Sequence, residues 1–348
     1  MNKKDNTNKL LKKDKKILLS HGDGGLKTSE LINDLIIKYL GNDILNKLED
    51  SSVINIEGKK IAYTTDSFTV KPLFFRGGDI GKLSVCGTIN DLVCSGAIPI
   101  ALSLGLIIEE GFEIESLEKI IKSISKTSKN VNVPIITGDT KVVEKNSIDK
   151  LFINTSGIGI VDDNIEITPR KIKPKDKVII NGTIAEHGIA VLTSRDEFNF
   201  KTNIKSDCAP LLSLVNNILS VSKNIHAIRD ATRGGIASVL NEFADIAKIK
   251  IEINEENIPI RKQTLAVCEF LGLDPLYIAN EGKILIFVSP EDSEKVLESM
   301  KSHKYGKKSE IIGEVKEHSE RGIVILNTKI GTKRIIDSFY SEQFPRIC

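Results

Sequence analysis

The chain has 348 residues, of which 40% are hydrophobic and 28% are charged. That length suits two ordinary globular domains with sizeable cores. No apolar run approaches the roughly 18 residues that a membrane helix needs, and the lysine-rich start lacks the apolar segment of a secretory signal. We therefore expect neither membrane insertion nor a signal peptide.

The net charge of +2 is divided unevenly along the chain. Residues 1–16 hold seven lysines and two aspartates, so the rest of the chain has a net charge of −3. A body this close to neutral lacks the basic surface of a nucleic-acid-binding protein, and we expect no nucleic-acid partner. We expect 1–16 to be a disordered basic tail, although it could touch an acidic partner.

The five cysteines form no CxxC pair and no Cys/His spacing typical of zinc. An odd number without a disulfide framework fits a reducing cytosol, and this favours a cytoplasmic protein with free thiols. All but the last are interpreted as core residues. The five are Cys86, Cys94, Cys208, Cys268 and Cys348.

The first half of the chain predicts helices and strands in mixed order. Apolar residues from Leu31 to Leu40 recur at helical spacing and stop at Gly41. Residues 53–56 and 60–65 alternate in polarity around a Glu-Gly turn and predict a hairpin. Further on, Asp79 is placed to cap a helix. The remaining predictions are a helix over about 81–95, a strand over 98–108, a helix over 115–129, and strands over 133–137 and 151–161.

A polar segment with two prolines, 168–177, lacks periodicity and marks a domain boundary. It divides the predicted N-terminal domain, 17–167, from a C-terminal domain, 168–336. Strands and helices alternate irregularly in the second half, which favours an α+β architecture in both domains over a doubly wound parallel sheet. After residue 336 the apolar periodicity fades, so 337–348 is predicted to be a mobile tail.

The chain ends in Pro345-Arg346-Ile347-Cys348, which places a thiol on the last residue. A free thiol has a pKa of about 8.5 and readily yields a nucleophilic thiolate near neutral pH. At the end of a flexible segment it can move between sites and hold a covalently attached group. The residues alone leave open the simpler possibility that the chain happens to stop at a cysteine.

Four aspartates indicate a magnesium–nucleotide site. Asp66, Asp139 and Asp230 each follow or close a predicted strand, and Asp91 should lie on the predicted helix over 81–95. Mg²⁺ binds hard oxygen ligands and leaves room for phosphates. Each aspartate alone is equally well explained as a cap or a turn residue, but the four together favour the metal site.

Three other side chains are candidates for chemistry. Lys141 follows Gly-Asp-Thr directly and could stabilise charge in phosphoryl transfer, or it could be a surface lysine. Glu281 precedes an apolar strand and could be a general base or a turn residue. His187 could line a cleft, but a structural role is at least as plausible. The glycine-rich segment 21–25 is not a P-loop, because Leu26 separates its last glycine from the lysine.

Together, these short motifs resemble the superfamily of aminoimidazole ribonucleotide synthetase and selenophosphate synthetase. With the glycine-rich start and the terminal Pro-Arg-Ile-Cys, the chain is most similar to the HypE family of hydrogenase maturation proteins, which are carbamoyl dehydratases. The resemblance covers nearly everything after residue 16 and departs at Asp23, where the family usually has glycine. The motifs are Thr65-Asp66-Ser67, Asn90-Asp91-Leu92, Gly138-Asp139-Thr140-Lys141, Asp230-Ala-Thr-Arg-Gly-Gly235 and Asn280-Glu281-Gly282.

The resemblance implies a two-domain fold of the aminoimidazole ribonucleotide synthetase type, with ATP and Mg²⁺ as cofactors. It implies a homodimer built through the first domain, in which sheets of two subunits meet. A carbamoyltransferase partner, HypF, would load a carbamoyl group onto Cys348, and ATP-dependent dehydration would convert it to a thiocyanate. The cyano group would then pass to iron on a HypC–HypD scaffold complex, becoming a ligand of the [NiFe]-hydrogenase centre.

The same resemblance implies a role for each candidate residue. Lys141 would offset charge at the phosphorylated oxygen, Glu281 would accept a proton from the amide nitrogen, and Cys348 would hold the carbamoyl group. The residues implied for Mg²⁺ and the nucleotide are Asp66, Asp91, Asp139, Asp230, Thr232 and Gly234.

Two other functions remain open at this stage. A selenophosphate synthetase would be expected to have cysteine or selenocysteine in the N-terminal glycine-rich loop, whereas this chain has no cysteine before Cys86. A non-enzymatic thiol carrier would have no need of the four aspartates, Lys141 and Glu281.

Overall fold

The structure of the protein is a computed structural model that describes residues 16–22, 24–195, 202–338 and 346–348. The predicted basic tail, except for Lys16, lies outside these residues. So do Asp23 and the larger part of the predicted mobile tail.

The strands of the first half form one sheet and confirm the predicted hairpin. Its antiparallel first two strands pair Ser52 with Tyr63 and Ile56 with Lys59. The strands are β1 (Ser52–Ile56), β2 (Lys59–Phe68), β5 (Ala97–Glu109), β6 (Ile135–Val143) and β7 (Leu151–Val161), and two short strands, β3 (Phe74–Phe75) and β4 (Gly78–Asp79), pair separately. Within the described residues the sheet order is β1-β2-β7-β5-β6, so β6 lies at an edge.

The helices of the first half include one that is buried along almost its whole length. The helices are α1 (Leu26–Leu31), α2 (Ile37–Leu40), α3 (Ile80–Cys94) and α4 (Ile114–Val131), and a π-helical turn joins the first two. The predicted cap of α3 is confirmed, because Asp79 Oδ1 accepts hydrogen bonds from the backbone N–H groups of Gly81 and Lys82 at 2.8 and 3.0 Å. A helix that is apolar on every side is a core helix.

The second half forms a mixed sheet with the order β14-β13-β10-β12-β8-β11-β9 in the described residues, where the labels denote the strands given below. Only β10 and β13 pair in parallel, and the other neighbours are antiparallel. This confirms the predicted α+β architecture. The strands are β8 (Lys177–Ile180), β9 (Ile225–Asp230), β10 (Ile249–Asn254), β11 (Ile284–Val288), β12 (Glu310–His318), β13 (Ile323–Asn327) and β14 (Lys333–Ile335). The helices are α5 (Glu186–Leu192), α6 (Leu212–Val221), α7 (Gly235–Ala247), α8 (Lys262–Leu271) and α9 (Pro290–Ser302).

Helix α3 joins the two halves through its buried Asn90. The Asn90 amide donates to the carbonyl of Ala209 at 3.1 Å and accepts from the backbone N–H of Leu211 at 2.8 Å. One hydrophobic cluster also spans both halves and includes Ile89 of α3 and Ile286 of β11. Because α3 packs on both sheets, a side chain at its carboxyl end lies where residues of both halves meet.

The face of the first sheet that points away from α3 is apolar and exposed. Tyr63 pairs with Ile158, and Ile98 pairs with Ile160, so these four side chains share that face. All four are exposed, and Ile98 is 61% exposed. Contiguous exposed apolar surface of this kind marks an interaction site. Among the described residues, no helix has the length and apolar character needed to cross a membrane.

Candidate active site

Three of the four predicted aspartates come together where α3, β2 and β9 meet. Asp91 lies near the end of α3 and accepts a hydrogen bond from Thr64 Oγ1 of β2 at 2.9 Å. Asp66 lies two residues further along β2, and Asp230 is the last residue of β9. Burial raises the pKa of Asp91 well above its usual range, and the negative charges of Asp230 and Asp66 raise it further. The three carboxylates therefore form one electrostatic unit.

A fourth carboxylate of this cluster, Asp50, was missed by the sequence analysis. Burial raises its pKa to about 6, although Arg229 opposes this with a 2.8 Å ion pair from its Nε. Ligand atoms of Asp50, Cys94 and Asp230 lie within 4.8 Å of one another. Asp50 lies in a Glu-Asp-Ser-Ser run before β1, which has the composition of an ordinary turn. Nothing in that local pattern could have identified it.

The carboxylates of this cluster suit a hard divalent cation. Burial raises the pKa of Asp230 well above its usual range, and Asp50 raises it further despite Arg229. Such concentrated negative charge is stabilised by a bound cation, and Mg²⁺ prefers oxygen ligands. Cys94 is a poor ligand for it, because burial and the charge of Asp230 raise the pKa of this thiol well above its usual range.

Glu281 belongs to the same site, and hydrogen bonds of its backbone N–H and carbonyl groups fix its position. Its N–H donates to Asp207 Oδ1 at 3.1 Å, and its carbonyl accepts from the N–H of Ala209 at 3.3 Å. Burial raises the pKa of the Glu281 carboxyl well above its usual range, and Cys208 and Asp230 raise it further. The side chain is 4% exposed. A carboxyl group buried near other carboxylates is a candidate for proton transfer.

A buried ion pair between Lys283 and Asp207 stabilises the loop that contains Glu281. Lys283 Nζ lies 2.8 Å from Asp207 Oδ2, and both side chains are largely buried. Burial alone would raise the pKa of Asp207, but the charge of Lys283 is the largest opposing cause, and the pKa lies below its usual range. Asp207 is therefore ionised and accepts the backbone hydrogen bond that fixes Glu281. The sequence analysis did not single out either member of this pair.

The turn that holds Thr232 and Gly234 leads from β9 into α7. The Thr232 carbonyl accepts from the N–H of Gly235 at 3.0 Å. Gly234 and Gly235 have φ angles of +69° and +58°, which side chains disfavour. A Cβ at Gly235 would lie 2.5 Å from the carbonyl oxygen of Leu276. The glycines thus let the backbone after Asp230 turn tightly into the start of a helix, where backbone N–H groups favour phosphate.

Arg233, in the same turn, contacts the terminal thiol. Its Nε lies 2.9 Å from Cys348 Sγ, and its Nη1 donates to the carbonyl of Gly22 at 2.7 Å. Burial raises the pKa of Asp66, and the charge of Arg233 opposes that rise. One guanidinium thus links the glycine-rich start, the acidic cluster and the end of the chain. This arginine lies in the Asp230–Gly235 motif, but no role is predicted for it from the sequence.

The last three residues lie beside the end of β2. The N–H of Thr69 donates to the Cys348 carbonyl at 3.2 Å, and the N–H of Lys71 donates to the Arg346 carbonyl at 3.0 Å. Arg346 Nη1 also donates to Asp149 Oδ2 at 2.6 Å. Cys348 is only 8% exposed. The terminal thiol therefore lies at the acidic site in this structure, and movement of the tail stays a prediction.

Asp139 and Lys141 lie elsewhere within the chain. Both are exposed on the edge strand β6, where Lys141 Nζ forms a 3.1 Å ion pair with Asp139 Oδ2. Asp139 is in register with Gly105 of β5, and β7 separates β5 from β2. Three strand spacings separate β6 from Asp66, which amounts to roughly 14 Å. The side chains of Asp139 and Asp66 also point to opposite faces, so one chain does not bring them together.

The comparisons with known proteins first define the class. The N-terminal domain of AIR synthase related proteins matches residues 48–161, and the C-terminal domain of the same family matches 173–325. The chain therefore belongs to the class of AIR synthase related proteins.

Curated relatives narrow the class to one family. A putative hydrogenase expression/formation protein of Methanocaldococcus jannaschii is 49% identical, covering 96% of this chain and all of the relative. The carbamoyl dehydratase HypE of Rhizobium leguminosarum bv. viciae is 44% identical, covering 96% of this chain and 95% of the relative. The chain belongs to the HypE family of carbamoyl dehydratases, which function in hydrogenase maturation.

Two solved structures agree with this assignment. A HypE chain from a HypE–HypF complex is 47% identical, with a TM-score of 0.84, and the match covers 89% of this chain and 99% of that one. A HypE solved in complex with ATP is 39% identical, with a TM-score of 0.80, and the match covers 96% of this chain and all of that one.

Proposed function

We propose that this protein is an ATP-dependent dehydratase that acts on a carbamoyl group attached to its own Cys348. The carbamoyl oxygen of Cys348–S–CO–NH₂ attacks the γ-phosphorus of ATP, and ADP leaves. Loss of the two N–H protons and cleavage of the C–O bond then expel phosphate and leave Cys348–S–C≡N. ATP is needed because phosphate is a far better leaving group than hydroxide.

The observation that carries this proposal is the position of the terminal thiol. Cys348 Sγ lies 2.9 Å from Arg233 Nε, in the turn that directly follows Asp230. A carbamoyl group on that sulfur would thus be next to the carboxylate cluster instead of in solvent. A HypE relative solved in complex with ATP supports ATP as the nucleotide.

The acidic cluster would hold the metal and the triphosphate. We assign Asp66, Asp91 and Asp230 to Mg²⁺, with Asp50 completing the cluster, and we assign the turn after β9, with Thr232 and Gly234, to the nucleotide. Mg²⁺, when bound, would neutralise these carboxylates and the triphosphate and favour transfer of the γ-phosphoryl group.

Glu281 is proposed as the proton acceptor at the amide nitrogen. Burial raises the pKa of its carboxyl group, so its ionised form is a stronger base than an exposed glutamate. Its backbone is fixed by Asp207 and Ala209, which limits the positions that its side chain can take. A positioned base of this kind typically contributes a factor of roughly 10²–10⁴ in rate.

We further propose that the protein acts as a homodimer, joined through the exposed apolar face of the first sheet. Tyr63, Ile98 and Ile158 on that face would become buried. Asp139 and Lys141 lie on the same sheet, far from the acidic cluster of their own chain. In the dimer, they would therefore act at the phosphates in the site of the second subunit.

The proposed partners follow from the reaction. A carbamoyltransferase of the HypF type must load Cys348, and a HypE relative has been solved in a complex with HypF. A HypC–HypD iron scaffold would accept the cyano group. The five cysteines are free in the structure, which accords with the reducing cytoplasm in which we expect the protein to act.

The decisive experiment is intact mass analysis of the protein incubated with a HypF-type carbamoyltransferase, its carbamoyl donor and ATP. We expect Cys348 to gain one carbamoyl mass and then to lose one water mass as phosphate is released. Cys348→Ala should show neither change, while Cys268→Ala, at a buried thiol in another cluster, should show both. Carbamoylation without phosphate release or water loss would instead identify a bare thiol carrier.

A further inference from the structure

A buried histidine contacts the backbone just before the terminal cysteine. His187 of α5 is 0% exposed, and its Nε2 lies 2.9 Å from the carbonyl oxygen of Ile347. A carbonyl oxygen can only accept a hydrogen bond, so Nε2 is the donor. The residue adjacent to the reacting sulfur is thus tied to the second half of the protein by this imidazole.

The other ring nitrogen contacts a serine hydroxyl that orients the imidazole. His187 Nδ1 lies 2.8 Å from Ser206 Oγ. In a neutral imidazole with its proton on Nε2, Nδ1 accepts the hydroxyl proton of Ser206. The same hydroxyl oxygen accepts from the N–H of Cys208 at 3.0 Å, which sets its orientation. Ser206 is therefore a hydrogen-bond partner that holds the ring in the orientation in which Nε2 faces the tail.

Both halves of the chain make further contacts with the tail, and in the second half Arg233 Nε lies 2.9 Å from Cys348 Sγ and Arg195 Nη2 donates to the Arg346 carbonyl at 3.4 Å. Thr69 and Lys71 donate backbone hydrogen bonds to Cys348 and Arg346, and Arg346 Nε donates to the carbonyl of Thr69 at 2.8 Å. The three last residues are thus held from one side by the strand end and from the other by His187.

We propose that His187, oriented by Ser206, is a positioning residue that holds Ile347 and so places the carbamoylated sulfur of Cys348 at the acidic site. This inference rests on the proposed function only for its effect on the reaction. His187 acts through the peptide group that precedes the reacting atoms, because its Nε2 contacts the Ile347 carbonyl. Without this hydrogen bond, the tail would spend more time away from the site.

The test compares His187→Leu with His187→Gln in the full-length protein. Leucine has a similar volume but leaves the buried Ile347 carbonyl without a donor, whereas the glutamine amide can supply an N–H near the position of Nε2. The probe is the rate of alkylation of Cys348 by iodoacetamide, read by intact mass. The other four cysteines are fully buried and react slowly.

We expect His187→Leu to raise the alkylation rate of Cys348 by about three- to tenfold, the effect of losing one net hydrogen bond. His187→Gln should stay near the wild-type rate. The matched control is His303→Leu, which breaks another histidine–serine pair, with Ser213, at an exposed position, and should change nothing. Equal rates for wild type, His187→Leu and His187→Gln overturn the inference.

If the His187→Leu protein does not fold, Ser206→Ala provides a second test of the inference. The alanine frees the ring to adopt the other tautomer, so we expect a smaller rise in alkylation, about twofold. A wild-type rate in a folded Ser206→Ala protein would overturn the inference in that case.

A second readout separates this inference from the proposed function. In a single turnover with preloaded Cys348 and saturating ATP, His187→Leu should lose water more slowly at unchanged ATP affinity, and His187→Gln should recover the rate. If wild type itself loses no water, the proposed function fails, while the order of alkylation rates still decides whether His187 holds the tail.

Discussion

The acidic cluster around α3 and the edge strand β6 both contain aspartates that the sequence predicts as ligands of one magnesium ion. Asp91 and Asp230 are packed among other carboxylates, and burial raises their pKa values well above the usual range. Asp139 lies exposed beside Lys141, with a single surface ion pair. Aspartates with the same predicted role thus have opposite electrostatic surroundings, depending on which surface of the fold they reach.

The sharpest test of this comparison is Asp91→Asn against Asp139→Asn. Asp91→Asn removes one charge from a repulsive buried cluster, so it should raise the melting temperature of the nucleotide-free protein by a few degrees and yet lower phosphate release by roughly a hundredfold or more. Asp139→Asn should leave the melting temperature unchanged, because exposed ion pairs contribute little. Thermal unfolding and a phosphate assay measure both effects.

Loss of stability in Asp91→Asn would contradict the view of the cluster as a charge-strained site. It would show that Asp91 is paired in the nucleotide-free protein and that the carboxylates do not repel one another.

Mixing two inactive variants can test whether Lys141 of β6 acts in the site of the partner subunit. Lys141→Ala and Glu281→Ala should each reduce turnover by roughly a hundredfold. If Lys141 acts in the partner's site, mixed dimers of the two variants contain one intact site, and activity should partly return on mixing. If both residues act within one chain, every site in the mixture stays defective. Phosphate release before and after subunit exchange distinguishes the two.

A smaller effect is expected on the pH dependence of stability. The pKa of Asp50 is raised to about 6 in the folded protein, against about 3.9 for an unperturbed aspartate. Its contribution to stability is therefore fully present below about pH 4 and is lost as the pH rises through 6. Relative to wild type, Asp50→Asn should gain up to about 3 kcal/mol in its free energy of unfolding over that window.

Urea unfolding at several pH values, without magnesium, measures this difference. A gap between wild type and Asp50→Asn that is constant across the window would mean that Arg229 neutralises Asp50 completely.

The smallest expected effect concerns the helix that positions Asp91. Asp79→Ala removes the side chain that caps α3, including a 2.6 Å hydrogen bond from Ser123 Oγ, and should lower the free energy of unfolding by about 1–2 kcal/mol. Glu113→Ala is the matched control, because Glu113 precedes α4 without a side-chain cap bond. Urea unfolding measures both variants. Equal decreases in the free energy of unfolding would show that the Asp79 cap does not stabilise α3 more than Glu113 stabilises α4.

Local sequence patterns were sufficient to predict several helices and strands and part of the candidate site. The hairpin around Glu57-Gly58 and the Asp79 cap depend on neighbouring residues, so they could be predicted. The placement of Asp91 on a helix followed from the helix predicted after the Asp79 cap, whereas the burial of that helix was not predicted. Asp50 could not be found, because its partners Arg229 and Asp230 are about 180 residues away along the chain.

The sequence by itself determined the α+β elements, the short acidic motifs and a thiol on the last residue. Folding brings Asp66, Asp91 and Asp230 into one charge cluster and leaves Asp139 outside it within a chain. Folding also places His187 against the backbone beside Cys348. Neither arrangement could be read from local patterns. The physical reason is that burial and charge coupling depend on distances in space, and these are set when α3 packs against both sheets.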